Sequence, residues 1–293
     1  PCARGNARAA AFDDPRFPPL SADELAAGLA AGYPVLIERN LVQTNHYRIP
    51  VPHLPRVFDG LTIAHLTDLH YGPLVSLDFI RDVIRRTNDL SPDVTVLTGD
   101  YVHGFNRTVQ IDAVWPEMAK LKARLAVFAV LGNHDHWADA RRSMVWMKKT
   151  GWNLRHKKRF IERDGYRLWF AGAGDFFADH RNLDRVLQDI PDKDCRIVLA
   201  HSPDTADSEY RRRVDLTISG HTHGGQVNIP LIGTPVLPTK NKAYSSRLKR
   251  SLRGENVFIS KGIGWAKIPV RFNCPPEIAV LELVPDVAVN NRI

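Results

Sequence analysis

From Leu61 onward, short continuous apolar runs alternate with stretches whose apolar residues recur at helical spacing. The runs Leu61–Thr67, Val94–Thr98 and Leu125–Leu131 do not alternate with polar residues, so they read as strands covered on both faces. Between and after them, Ser76–Asn88 sets Phe79, Ile80, Val83 and Ile84 on one stripe and reads as a helix. Ile111–Ala123, despite Pro116, and Ala138–Lys149 read as two more. This alternation predicts an α/β sandwich with parallel pairing. The second half is richer in strands. Arg159–Arg163 and Tyr166–Ala171 flank an Asp164–Gly165 turn, a hairpin signal. Leu183–Ile190 is a short helix, and Arg196–Ala200, Asp215–Ser219, Val257–Ser260 and Ile278–Leu283 are strands.

Residues 1–60 read as a peripheral arm and 61–293 as one domain. In the arm, Ser21–Ala31 is a short helix with Ser21 as N-cap and Glu24 completing a capping box. Tyr33–Glu38 and Thr44–Ile49 are expected to form a hairpin around Arg39–Asn40, followed by a linker carrying Pro50, Pro52 and Pro55.

Composition narrows the class. The 293 residues are 44% hydrophobic and 25% charged, values of an ordinary globular chain. Cys2, Cys195 and Cys274 are odd in number and far apart, which excludes a disulfide framework and a cysteine zinc site. No apolar run is long enough to span a bilayer. The first ten residues hold Arg4 and Arg8 and no apolar core, so no leader is expected there; a start at Pro1 implies that something upstream was removed. The formal charge, 40 Lys+Arg against 32 Asp+Glu or +8, gathers at Lys148–Lys149, Arg155–Arg159, Arg211–Arg213 and Lys240–Arg253. Such clusters attract anionic partners. No nucleic-acid-reading motif accompanies them, which argues against sequence-specific nucleic-acid binding.

The chemistry lies where the apolar strands end. Leu61–Thr67 runs into Asp68-Leu69-His70, and Val94–Thr98 into Gly99-Asp100. Leu125–Leu131 runs into Gly132-Asn133-His134-Asp135, and Arg196–Ala200 into His201. Asp215–Ser219 runs into Gly220-His221-Thr222-His223-Gly224-Gly225-Gln226. One such cluster is ordinarily a cap or a turn. Five that offer Asp, Asn and His at the same end of an open sheet, where ligands bind, make a metal site. Carboxylate, amide and imidazole donors suit Mn, Fe or Zn, and the lack of thiolates argues against a structural zinc. Seven donors exceed one tetrahedral ion and suit two divalent ions.

The ordered blocks D-x-H, G-D, G-N-H-D, H and G-H-x-H resemble the calcineurin-like metallophosphoesterase superfamily. The string Gly220–Gln226 resembles a bacterial cell-envelope phosphodiesterase branch, as do Phe258–Gly264, Pro269–Phe272 and Cys274–Ile278. The resemblance does not extend to the arm. It implies a four-layer α/β/β/α sandwich of two mixed sheets with the metal site at strand carboxyl ends. It implies that Asp68, His70 and His223 bind one metal, that Asn133, His201 and His221 bind the other, and that Asp100 bridges. His134 would act as general acid at the leaving oxygen, oriented by Asp135.

The reaction implied is hydrolysis of a phosphodiester or pyrophosphate, on a lipid-linked or nucleotide substrate, by hydroxide generated on the metals. The alternatives are a metal-dependent phosphomonoesterase or protein phosphatase, and a non-catalytic scaffold. A cell-envelope or peripheral-membrane location is expected over a cytoplasmic one. The basic, partly apolar segment Leu231–Arg253 is the candidate contact with an acidic membrane surface. Lys261 stands where the branch commonly has Arg, which would remove a bidentate phosphate contact. His103, close after Asp100, reads as a surface histidine, with reach to the substrate as the alternative.

Overall fold

A computed structural model describes residues 32–179 and 183–286. Two mixed sheets stack face to face. The first holds β1 (Gln43–Val51), β11 (Glu277–Pro285), β2 (Leu61–Leu66), β3 (Val94–Leu97) and β4 (Ala126–Ala129), in that order. The second holds β5 (Lys158–Arg163), β6 (Tyr166–Gly172), β7 (Cys195–Leu199), β8 (Leu216–Ser219), β10 (Asn256–Ile259) and β9 (Arg247–Arg250). In the first, β2, β3 and β4 are parallel and β11 runs antiparallel to β2. In the second, β6, β7, β8 and β10 are parallel, with antiparallel β5 and β9 at the edges.

Continuous apolar runs form these strands because both faces are covered. Ile63, Val94, Val96 and Phe128 meet Phe170, Ile197, Leu199, Ile218 and Phe258 between the sheets. Leu66, Leu97 and Ala129 face the other way, onto α1 (Leu77–Asp89), α2 (Thr108–Met118) and α3 (Asn133–Thr150). On the far side Ala171, Val198 and Ala200 pack with Leu183, Val186 and Leu187 of α4 (Leu183–Leu187). The result is the expected four-layer α/β/β/α sandwich.

Two sequence expectations fail. Tyr33–Glu38 forms no strand and no hairpin: Tyr33–Ile37 is a wide helical turn and Glu38–Asn40 a 3-10 turn. This segment is fixed by the C-terminal loop instead. Pro34 O accepts from Arg271 N at 3.1 Å, and the buried Glu38 carboxylate accepts from Cys274 N at 2.6 Å. The strand expected at Thr44–Ile49 exists as β1 but pairs in parallel with β11. Its Pro50 sits on a sheet edge, where a missing N–H is tolerated. Arg247–Arg250, read only as part of a basic segment, is the edge strand β9. Its charges suit an edge that must not pair further. The helix expected at Ser21–Ala31 lies outside the described residues.

Candidate metal centre

All five polar blocks converge at the carboxyl ends of β2, β3, β4, β7 and β8. The donor atoms form two triads, Asp68/His70/His223 and Asp100/His201/His221, each with its atoms within 4.8 Å of one another. In the first triad His223 Nε2 is 3.2 Å from Asp68 Oδ1 and 3.1 Å from His70 Nε2. In the second, His201 Nε2 is 3.2 Å from Asp100 Oδ2 and 3.1 Å from His221 Nδ1. Asp100 Oδ2 also lies 3.6 Å from His70 Nε2, so this one oxygen faces both triads. Asn133 opens α3, and its buried Oδ1 has no hydrogen-bond partner. Asp68 Oδ1 is likewise without one.

These donors fit divalent cations. His201 Nδ1–H donates to Thr98 O at 2.8 Å, which leaves Nε2 directed at Asp100. His221 Nε2–H donates to Pro238 O at 3.0 Å, which leaves Nδ1 directed at His201. Carbonyl partners of this kind fix the tautomer of a ligating histidine. His201 Nε2, His221 Nδ1 and the Asp100 oxygen therefore converge, an arrangement that needs a proton or a cation between them. Burial acts to raise both carboxylates, but the imidazoles outweigh it, chiefly His223 for Asp68 and His201 for Asp100; both stay well below the usual carboxylate range. Burial disfavours a charged His201, yet Asp100 drives it up to about 10. His221 is pushed down to about 4 by burial and by His201. A cation entering the second triad would therefore displace a proton from His201.

The backbone at the strand ends is strained. Asp68, His70, Asp100, His221 and His223 all have φ between 48° and 69°, a region uncommon for residues with a Cβ. Close approach is needed as well. A Cβ on Gly132 would stand 2.3 Å from Asp100 Oδ1, and one on Gly220 would stand 2.3 Å from Asp68 Oδ2.

His134 borders this centre, its ring edge-on to His70 with centroids 4.6 Å apart. Burial lowers its pKa. Asp135 does not orient it. The Asp135 carboxylate accepts from the backbone N–H of Asp100 (2.7 Å), Tyr101 (2.9 Å) and Gly132 (2.9 Å). It ties the β3 and β4 ends together rather than steering the imidazole. Burial, then the Asp100 charge, push Asp135 up to about 8 against those three donors.

His103 is not a detached surface histidine. Its Nδ1 is 3.3 Å from His70 Nδ1, and its ring stacks on His134 with centroids 5.0 Å apart. The signal was its place in the block Gly99-Asp100-Tyr101-Val102-His103, on the same strand end as a candidate ligand. Lys261 is paired inward: its N–H donates to Glu277 Oε1 at 2.8 Å, and its Nζ lies 3.7 Å from Glu277 Oε2.

The model of the family described as calcineurin-like phosphoesterase matches residues 61–225. The chain belongs to this family and is a metallophosphoesterase, a hydrolase with a candidate dinuclear His/Asp metal site. It is similar to the Bacillus subtilis metallophosphoesterase YkuE, 28% identical over 270 residues that cover 91% of this chain and 94% of that protein. It is also similar to the Escherichia coli phosphodiesterase YaeI, 31% identical over 227 residues that cover 76% of this chain and 82% of that protein. Among solved structures, a dimetal phosphatase from Danio rerio aligns over 73% of this chain and 94% of that one, at 12% identity and a TM-score of 0.43.

Proposed function

We propose that this chain hydrolyses phosphodiesters or pyrophosphates with two divalent ions, Mn, Fe or Zn. Asp68, His70 and His223 would hold one ion, Asn133, His201 and His221 the other, with Asp100 between. The observation that carries this reading is the single Asp100 oxygen facing both histidine triads, at 3.6 Å and 3.2 Å. Bound ions of this kind activate water near neutral pH and neutralise phosphoryl oxygens during in-line displacement. The chain's own residues set the stage. Thr98 O and Pro238 O hold His201 and His221 in one tautomer each. Asp135 fixes the Asp100 and Gly132 backbones. His134, edge-on to His70, would give a proton to the leaving oxygen. Diester preference is supported by the likeness to YaeI, itself a phosphodiesterase.

The test is turnover of a chromogenic phosphodiester and its matching monoester after metal removal and reloading. Metal-dependent diester turnover is expected, lost together with metal in Asp100→Ala. In His134→Ala, turnover should fall ~10²–10⁴-fold with metal retained. Turnover of the monoester alone would replace this reading by a phosphomonoesterase.

The reading extends to a peripheral contact with an anionic membrane surface. Leu231 and Ile232 are fully and largely exposed on the turn closed by Ile229 and Gly233. The same segment carries Lys240, Lys242, Lys249 and Arg250. No helix among the described residues is long and apolar enough to cross a membrane. Acidic-vesicle binding that survives Leu231→Ser with Ile232→Ser would reject this contact.

A further inference from the structure

Three large aromatic side chains remain in water around the metal centre: Phe105 is 65% exposed, Phe177 47% and Trp137 41%. None of the three belongs to a hydrophobic core of the described residues. Each nevertheless has a defined place. Phe105 and Trp137 stack at 5.2 Å with 14° between their planes. Trp137 rests against His134 at 4.5 Å. Phe177 lies 5.3 Å from the ring of His221, a member of the second triad. Aromatic surface of this size is favourable to cover, and a stacked pair held in solvent presents a flat face to whatever arrives.

We propose that these rings are two subsites for the organic arms of a phosphodiester, the flat leaving group on Phe105–Trp137 and the retained arm on Phe177. This rests on the diester reading above. With the phosphoryl group at the two triads and its leaving oxygen at His134, the leaving arm emerges beside Trp137. The second arm needs a different exit. Among the described residues, Phe177 is the exposed ring in contact with His221, away from the His134 ring that Trp137 covers. A monoester would leave that ring unused. The substrate class is therefore a diester with two planar, apolar arms, such as aryl groups or nucleobases, which stack without a hydrogen-bond code.

The experiment compares kcat/KM for three p-nitrophenyl phosphodiesters that share one leaving group. Their retained arms are methyl, phenyl and 5′-thymidine. In Phe177→Ala, the ratio of the phenyl and thymidine substrates to the methyl one should fall about 5- to 100-fold. In Phe105→Ala, kcat/KM should fall by one common factor in that range on all three, with the ratio kept. Both positions are exposed, and equal metal content and thermal midpoint verify that folding is intact. Changes under twofold in either variant would overturn the proposal. A diester with a cyclohexyl retained arm adds a second check. If it matches the phenyl substrate in wild type and in Phe177→Ala, the subsite reads bulk and the planar class is wrong. Wild-type protein that cleaves p-nitrophenyl phosphate and no diester would refute the diester reading itself. That outcome is distinct from diester turnover insensitive to both rings.

Discussion

Gly132→Ala isolates the effect of one methyl group on the metal centre. Gly132 has φ −105° and ψ 179°, which any residue adopts, so alanine brings no backbone strain. The added Cβ would lie 2.3 Å from Asp100 Oδ1 and 2.7 Å from His201 Nδ1. Ordinary contact begins at 3.4 Å, so the carboxylate must retreat by 3.4 − 2.3 = 1.1 Å and the imidazole by 3.4 − 2.7 = 0.7 Å. Neither group is free to move. Asp100 Oδ1 accepts from His134 N at 2.8 Å, and His201 Nδ1 donates to Thr98 O at 2.8 Å. Metal–ligand distances tolerate only about 0.2 Å. A misplacement near 1 Å costs about 10²-fold in rate, and overpacking about 1–3 kcal/mol in stability. Metal content by plasma mass spectrometry should fall by at least one ion per chain, with diester turnover down about 10²-fold. Gly254→Ala is the control: it has φ +80° and open space around the new Cβ, so it strains the backbone and leaves the metals alone. A Gly132→Ala protein with wild-type metal content and rate would refute this geometry.

His65 predicts a pH dependence of stability. It is wholly buried on β2, its Nε2 bonded to Thr98 Oγ1 at 2.8 Å, and burial lowers its pKa from 6.5 to about 4. A depressed folded pKa stabilises above pH 6.5, and that contribution is lost as pH falls toward 4. At 1.36 kcal/mol per unit, the loss is about 3 kcal/mol. Urea unfolding of metal-free protein between pH 7 and 4.5 should show a shallower slope for His65→Gln, and equal slopes would contradict the assignment. Asp135→Asn removes one of two acceptor oxygens from three backbone N–H groups and should lower metal affinity, read by chelator competition, with a loss of about 1–3 kcal/mol in stability. Unchanged affinity would return Asp135 to a role at His134. Glu277→Ala should lower stability by about 3–5 kcal/mol in thermal or urea unfolding, because the buried carboxylate joins Asn45, Tyr47 and Lys261 across β1, β11 and the β10 loop. A loss below about 1 kcal/mol would reduce that clamp to ordinary contacts.

The central strands and the site blocks were legible for one reason: the same residues answer to two constraints at once. A strand buried on both faces must be apolar, and its end must supply metal donors, so the switch from Leu61–Thr67 to Asp68 stands out. The β1 pairing was not legible, because β1 finds its partner β11 at the far end of the chain, a tertiary contact that local turn signals cannot announce. Arg39–Asn40 looked like a hairpin turn; contacts from Cys274 and Arg271 decided otherwise. His103 was read as a surface histidine because a half-buried histidine in a loop has no periodicity to betray its contacts with His70 and His134.

Asp135 is the instructive case, since the information was present and the inference ran the wrong way. Gly132 caps α3, which makes Asn133, His134 and Asp135 its first three helical positions. Successive side chains on a helix diverge, so Asp135 cannot reach back to the ring of His134. The third position is where a carboxylate accepts from the N-cap backbone N–H, as Asp135 does from Gly132 at 2.9 Å. Its other contacts, to Asp100 and Tyr101, extend that capping role across to β3. The consequence reaches the strained backbone. Asp100 has φ +56°, which costs free energy for a residue with a side chain. The Asp135 carboxylate holds its N–H and that of the next residue, which offsets part of this cost and keeps the Asp100 oxygen between the two triads. One buried acid thus accounts for the position of another, and the G-N-H-D block is better read as one candidate ligand, one neighbouring imidazole and one brace.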